Sequence, residues 1–164
     1  MALYVVDSNF FIQAHRNHYP LDVVPSFWRK IIDLHSRGIL CSIDKVHNEI
    51  CKNTDPLSAW LQSQLPSTCF FDSSQNLTEY VRVIAWANSR NHHYSPLALS
   101  EFLHADEADA WLVSHAIKNG CKIVTYEKSD PLNKKKIKIP EACANFNIPF
   151  VNTIQMLREL GETL

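Results

Sequence analysis

Glycine is scarce in this chain, with three among 164 residues. Phosphate-binding loops of the P-loop and dinucleotide-binding types need several glycines at fixed spacing, so neither type is expected here. Cysteines in CxxC spacing and histidines in HxxxH or HxxEH spacing are also missing, which argues against the common zinc motifs. No apolar run approaches the ~18 residues of a membrane-spanning helix, and we expect no contact with a membrane.

An excess of charge of one sign is missing as well. The chain has 16 Lys and Arg against 17 Asp and Glu, a formal net charge of −1. Any affinity for nucleic acid must therefore come from a local patch or a bound metal. The five cysteines are odd in number, so we expect buried, reduced thiols. The start of the chain lacks the positive region of a secretory signal, and we expect a cytoplasmic protein.

Strand-like and helix-like segments alternate along most of the chain, and its length and 46% hydrophobic content predict a single packed domain over residues 1–164. Strands are predicted at LYVV, ILCSI, CFF, CKIVT and PFV. Helices are predicted at PSFWRKIIDLHSRG, DKVHNEICK, DPLSAWLQSQL, SQNLTEYVRVIAWANSR, ADEADAWLVSHAIKNG, IPEACANFN and TIQMLRELG, with HHYSPLAL as a connection. This alternation predicts an α/β protein with a parallel sheet between helices.

Two helices allow more detailed predictions. Asp44 is the expected N-cap of the helix that begins at DKVH. In the helix that begins at SQNL, the residues Leu77, Val81 and Ile84 are predicted to share one side.

Four carboxylates stand at the ends of these strands or near the starts of helices. Asp7 follows LYVV, Glu49 lies in KVHNEI, Asp109 lies in ADEADAWLVSHA, and Glu127 follows KIVTY. Ligands of an open parallel sheet bind beyond the carboxyl ends of its strands. Acids gathered there without a Cys/His set suit a hard cation such as Mg²⁺ or Mn²⁺. The four acids therefore predict metal-assisted chemistry on a phosphate-containing substrate.

The acids of the first half also have ordinary structural explanations. Asp7 can simply form a turn or cap a helix, as Asp-Ser-Asn sequences often do. The neighbouring Ser8 and Asn9 could instead hold a metal-bound water or fix the Asp7 side chain. Glu49 can be a solvent-facing residue of its helix.

The acids of the second half have similar alternatives. Asp106 is expected to cap its helix, with Asp109 as an acid of the first turn that the helix dipole favours. Glu127 can be a loop acid, and Asp130 competes with it for a place in the site. Thr125 is expected to donate a hydrogen bond to an acidic ligand.

A run of lysines follows the fourth strand. Lys134, Lys135, Lys136 and Lys138 could contact phosphates, but such runs are usually solvated loops. The alternation in KKIKI also fits an edge strand that lysines protect from aggregation.

The order of VVDSN, a Glu on the helix after the second strand, EADAWLVSHA and IVTYE resembles the PIN-domain superfamily. Three stretches, HYPLDVVPSFWRKI, ADAWLVSHAIKNGCKIVTYE and KKKIKIPEACANFNIPFVNTIQMLRELG, more narrowly resemble a bacterial PIN-like family of uncharacterised function. This resemblance extends from Tyr4 to about Gly161. It implies a three-layer α/β/α PIN-like fold around a central, mainly parallel five-stranded sheet.

The resemblance also implies an activity. Asp7, Glu49 and Asp109 match the three PIN acids, and Glu127 stands where many PIN nucleases have Asp. All four are implied as catalytic ligands of Mg²⁺ or Mn²⁺ in an endoribonuclease that cuts RNA. VapC-like relatives are toxins of bacterial toxin–antitoxin pairs, which implies an antitoxin partner and leaves a homodimer open. Because Glu127 replaces Asp, the alternative is a weak or inactive PIN-like module that binds RNA or protein.

Overall fold

The computed structural model describes residues 2–164. Its centre is a five-stranded sheet in the order β3-β2-β1-β4-β5, with every neighbouring pair parallel. The strands are β1 (Tyr4–Val6), β2 (Leu40–Ile43), β3 (Phe70–Phe71), β4 (Lys122–Val124) and β5 (Phe150–Val151). The predicted parallel five-stranded sheet is therefore confirmed.

Nine α-helices connect and flank these strands in the described part of the chain. They are α1 (Ser8–Gln13), α2 (Pro25–Ser36), α3 (Asp44–Cys51), α4 (Pro56–Gln64), α5 (Leu77–Ser89), α6 (Pro96–Leu103), α7 (Ala108–Asn119), α8 (Ile139–Phe146) and α9 (Thr153–Leu160). A π-helical turn, Ala14–His18, continues α1. Within residues 2–164, no helix is both long and apolar enough to cross a membrane.

The two faces of the sheet are covered by different helices. On one face, the Tyr4 hydroxyl of β1 donates a hydrogen bond of 2.6 Å to Glu159 of α9. On the other face, Sγ of Cys41, the register partner of Val5, lies 3.8 Å from Nε2 of His115 in α7. Since successive residues of a strand point to opposite faces, α7 and α9 lie on opposite sides of the sheet. This arrangement is the predicted three-layer α/β/α fold, and β1 and β2 are accordingly buried along their whole length.

Some predicted helices differ from the observed ones. The predicted connection HHYSPLAL is wrong, because α6 begins at Pro96 with the Ser95 hydroxyl accepting a hydrogen bond from the Ala98 N–H. Asp44 is the first residue of α3 and not its N-cap. The Asp44 carboxylate instead accepts hydrogen bonds from the N–H groups of Lys45 and of Ser73, which ties α3 to a distant segment.

Leu77, Val81 and Ile84 lie on one α-helix as predicted, but their side is not the buried side of α5. Leu77 and Val81 are 58% and 59% exposed, whereas Val83 and Ala87 are fully buried where α5 packs on α7. The cysteines agree better with expectation. All five are free, and four of them are buried while Cys51 is half-buried.

Candidate acidic site

The sheet has a change of strand order beside β1. The chain runs from β1 outward to β2 and β3 and then returns to add β4 on the other side of β1. The carboxyl ends of β1 and β4 therefore border a crevice of the kind in which open α/β sheets bind ligands. Asp7 follows β1 and Thr125 follows β4. The predicted hydrogen bond from Thr125 to an acid of the site is present, from Thr125 Oγ1 to Asp7 Oδ2 at 2.6 Å.

Asp7 is a buried carboxylate, 2% exposed, directly after the carboxyl end of β1. Its Oδ1 accepts a hydrogen bond of 2.7 Å from the Phe10 N–H, so it also caps α1. Burial raises the pKa of Asp7 to about 7, and the charges of Glu127 and Glu49 act in the same direction. The hydrogen bonds from Thr125 and Phe10 oppose that rise without cancelling it.

Asp109 lies in the first turn of α7, beside the same crevice. The predicted cap, Asp106, is wrong: Glu107 holds the N-cap position, and Asp106 is exposed on the preceding turn. Within residues 2–164, the Asp109 carboxylate accepts no hydrogen bond. Burial raises the pKa of Asp109 well above its ordinary value, and the charges of Glu127, Glu107 and Asp7 raise it further.

Glu49 reaches the crevice from α3. Ser8 Oγ donates a hydrogen bond of 2.7 Å to Glu49 Oε2. Ser8 therefore fixes the Glu49 carboxylate, whereas fixing the Asp7 side chain was one of the two roles considered for Ser8 and Asn9. Glu49 lines a cavity of about 310 Å³ and is not simply a solvent-facing helix residue. The other lining residues are Asn9, Ala98, Glu101, Phe102, Glu107, Asp109, Lys136 and Ile137.

Glu127 is the best satisfied of the four acids. Its Oε1 lies 3.1 Å from the Lys136 ammonium nitrogen, and its Oε2 accepts a hydrogen bond of 2.9 Å from the Ile139 N–H. Burial alone would lower the pKa of Lys136, but the charges of Glu127 and Asp109 outweigh it and raise that pKa. The Lys136 ammonium group thus supplies a positive charge among the acids.

Four other charged residues of this loop do not line the cavity that Glu49 and Asp109 share, namely Asp130, Lys134, Lys135 and Lys138. Asp130 is exposed, and its carboxylate lies 3.9 Å from the Lys138 ammonium. The edge-strand interpretation of KKIKI, residues 135–139, is wrong, because residues 134–138 form an irregular loop and α8 begins at Ile139. Lys134 and Lys135 are exposed on that loop.

Two further acids of the cavity had no predicted role. Glu107 stood beside the predicted acids in the sequence, and its pKa is raised, first by burial and then by the charge of Glu49. Glu107 could have been identified from the sequence, because it directly precedes the buried helix α7. Glu101 lies on α6, in the segment taken for a connection, and so no periodic pattern pointed to it.

The donor chemistry of the crevice suits a hard divalent cation. Carboxylate oxygens are the preferred ligands of Mg²⁺ and Mn²⁺, and clustered carboxylates repel one another without a cation. Among residues 2–164, however, no three or more His, Cys, Asp or Glu side chains are already grouped as a metal site. Glu49 and Asp109 line one cavity, and the charges of the other predicted acids act on the pKa values of Asp7 and Asp109, so the four acids lie near one another. Their role as ligands stays a prediction.

Comparisons with known proteins agree with this fold. The model of the family described as "Domain of unknown function (DUF4411)" matches residues 4–164. No curated protein matches the sequence. A chain in the structure of FitAB bound to IR36 DNA fragment is similar in fold, with a TM-score of 0.53, 9% identity, and coverage of 91% of this chain and 94% of that one.

A chain in the crystal structure of VapBC2 from Rickettsia felis, bound to a DNA fragment from their promoter, also matches. It has 16% identity and a TM-score of 0.48, with 91% of this chain and 97% of that chain covered. The expected PIN-like fold is confirmed by the likeness to FitAB.

Proposed function

The chain belongs to the DUF4411 family, and from its acidic crevice we propose that it is a metal-dependent endoribonuclease that hydrolyses RNA phosphodiester bonds. One observation carries this proposal. Asp7 and Asp109 lie near each other where the strand order changes, and burial and the neighbouring acids raise the pKa of both carboxyl groups. A purely structural site has no need to keep two such carboxylates together.

The proposed ligands are Asp7, Glu49, Asp109 and Glu127, and the proposed cofactor is Mg²⁺ or Mn²⁺. When bound, the cation lowers the pKa of a water molecule and neutralises charge on the phosphodiester. Thr125 and the Phe10 N–H fix the Asp7 carboxylate, and Ser8 fixes that of Glu49. Such fixed side chains keep a catalytic geometry without rearrangement during the reaction.

Lys136 is proposed to serve the substrate. Its ammonium group is half-exposed and now pairs with Glu127. In the complex it donates to a non-bridging phosphate oxygen. The oxygen of water then bonds to phosphorus, the bond from phosphorus to the 3′ oxygen breaks, and that oxygen takes up a proton. The products carry 5′-phosphate and 3′-hydroxyl ends.

We also propose that the protein is the toxin of a bacterial toxin–antitoxin pair. The fold is similar to that in FitAB, whose structure contains a bound DNA fragment. A cognate antitoxin would then cover the crevice and keep the nuclease inactive, and a homodimer is compatible with this assembly. The measurement is growth on induction of this chain alone and together with the product of an adjacent small gene. Growth arrest that the neighbour relieves supports the proposal.

The contacts of Glu127 favour a second candidate function. In it, the chain is a PIN-like module that binds RNA or protein with little or no cleavage. Both Glu127 oxygens already have partners, and Lys136 supplies the positive charge that a cation would supply. If Lys136 does not leave Glu127, the site has one ligand fewer.

The deciding experiment is cleavage of a structured RNA pool by purified protein with Mn²⁺ or Mg²⁺, beside EDTA and the Asp7→Asn variant. Asp106→Asn is the matched control, because Asp106 is an exposed acid close to the site in sequence. Metal-dependent cleavage that Asp7→Asn abolishes and Asp106→Asn retains supports the nuclease. RNA binding without cleavage in any metal favours the second candidate.

A further inference from the structure

A second cavity, which we call the aromatic pocket, opens beside the acidic crevice. It has a volume of about 340 Å³ and lies beyond the carboxyl ends of β4 and β5. Its lining residues are His18, Tyr19, Thr125, Tyr126, Glu127, Lys128, Ser129, Phe150, Asn152, Ile154 and Gln155. Thr125 borders this pocket and also donates its hydrogen bond to Asp7. A group bound in the aromatic pocket would therefore lie next to the acids.

Flat rings form one side of the pocket. His18 and Tyr126 stack with ring centroids 5.0 Å apart and an angle of 17° between their planes. His18 is exposed and ends the π-helical turn, a backbone irregularity that is frequent at functional sites. Phe150 and Ile154 add apolar surface that is 37% and 43% exposed. A planar apolar group of small size would cover these surfaces.

Other lining residues of the pocket offer hydrogen-bond donors. Asn152 and Gln155 form a capping box at the start of α9, in which each side-chain oxygen accepts a backbone N–H of the other residue. Their oxygens are thus used, and each side chain retains an NH₂ group with no partner among residues 2–164. Exposed Lys128 also lines the pocket and adds a positive charge. Carbonyl and ring-nitrogen acceptors on a planar group would satisfy these donors.

We propose that the aromatic pocket binds one unpaired nucleobase of single-stranded RNA. This inference rests on the proposed nuclease function and specifies its substrate as unpaired RNA. The base stacks on the His18–Tyr126 pair and accepts hydrogen bonds from the amides of Asn152 and Gln155. The attached phosphate passes Lys128 and Thr125 toward the acidic crevice. Stacking on aromatic side chains is the usual way in which proteins hold unpaired bases.

The test measures binding in EDTA, so that cleavage plays no part. A fluorescein-labelled uridine hexamer is titrated by anisotropy, beside hexamers in which successive single positions lack the base but keep the sugar and phosphate. We expect the intact hexamer to bind more tightly than at least one abasic hexamer. Loss of stacking on one base should weaken binding by about 5- to 150-fold. Equal affinity for all hexamers would overturn the proposal.

Variants place the effect in the pocket. His18→Ala and Tyr126→Ala should weaken binding of the intact hexamer and abolish its advantage over the abasic ones, whereas Tyr126→Phe keeps the ring and the affinity. His92→Ala removes an exposed histidine elsewhere and serves as the control. His18 is exposed, so its loss leaves the fold intact even where Tyr126→Ala does not. Unchanged binding in folded His18→Ala would overturn the proposal.

The outcome is separable from that of the proposed function. Base-dependent binding without cleavage would leave the pocket proposal standing and overturn the nuclease. Metal-dependent cleavage together with equal affinity for intact and abasic hexamers would support the nuclease and overturn the pocket proposal. A pocket that instead accepts a protein partner would leave RNA binding unchanged in both alanine variants, which also overturns the proposal.

Discussion

The acidic crevice has an inner pair of carboxylates, Asp7 and Asp109, and an outer pair, Glu49 and Glu127. The inner pair has raised pKa values because the fold buries the carboxyl groups without enough compensating charge. Asp7 has hydrogen-bond donors in Thr125 and Phe10 but, within residues 2–164, no cation beside it. Of the outer pair, Glu127 contacts the Lys136 ammonium and Glu49 accepts a hydrogen bond from Ser8. The inner carboxylates are therefore the ones that the fold buries without a contacting cation in the described part of the chain.

This difference predicts which acids matter most for activity. Asp7→Asn and Asp109→Asn each remove the negative charge of an inner carboxylate. Each should lower kcat/KM by about 10²- to 10³-fold, because metal-assisted catalysis contributes several kcal/mol to the rate. Glu127→Gln should cost less, because Lys136 already neutralises that acid. The measurement is initial rates on one RNA in Mn²⁺. A greater loss for Glu127→Gln than for Asp7→Asn would reverse the assignment of inner and outer pairs.

The inner pair should also destabilise the metal-free protein at neutral and alkaline pH. The folded state holds the Asp7 proton up to a pKa of about 7, against 3.8 ordinarily, so it binds more protons than the unfolded state between these values. The free energy of unfolding therefore falls as pH rises through that window. Ionisation of Asp7 should lower it by about 4 kcal/mol at pH 8. Asp7→Asn should raise the Tm in EDTA at pH 8, with little change at pH 4.

Thermal unfolding of the wild type and of Asp7→Asn across pH 4–8 checks this prediction, with Asp106→Asn as the control. Added Mn²⁺ should reproduce the stabilisation in the wild type at pH 8 and not in Asp7→Asn. A wild-type Tm that rises relative to that of Asp7→Asn between pH 4 and pH 8 would contradict the sign of the effect.

A smaller effect should come from Thr125, which orients the Asp7 carboxylate. Thr125→Val keeps the shape of the side chain and removes the hydroxyl that donates to Asp7. Loss of such a partner of a ligand typically weakens metal binding by about 10- to 100-fold. Calorimetric titration with Mn²⁺ measures it, and Thr125→Ser, which keeps the hydroxyl, should restore the affinity. Equal affinities for Val and Ser would mean that the hydrogen bond does not contribute.

The fold and the position of Asp7 were predictable from the sequence for a physical reason. Alternating strand and helix patterns specify a parallel sheet, and acids directly after its strands must lie at one edge. Asp7 follows β1 at once, so its place in the crevice required no knowledge of distant contacts. Thr125 follows β4 in the same way, and its hydrogen bond to an acid was foreseen.

The remainder of the site depends on contacts that no local pattern encodes. Glu101 arrives on α6, whose proline and serine start resembled a connection. The partner of Ser8 is Glu49, 41 residues away. Which lysine of the run enters the crevice is decided by the course of the irregular loop after β4, and a run of like charges contains no periodicity from which to infer it.

Replacing Lys136 should have the smallest effect of these changes, and it distinguishes the two pairs of carboxylates most directly. Lys136→Met removes the positive charge that contacts Glu127, so Mn²⁺ should bind up to about tenfold more tightly as Glu127 becomes available. RNA binding should change in the opposite direction, with the salt dependence of log K reduced by about one because one phosphate contact is lost. Lys134→Met, on the same loop but away from the acids, should leave metal affinity unchanged. Weaker metal binding in Lys136→Met would show that Lys136 organises the acids for the cation, and the outer pair would then depend on Lys136 in the metal-bound state as well.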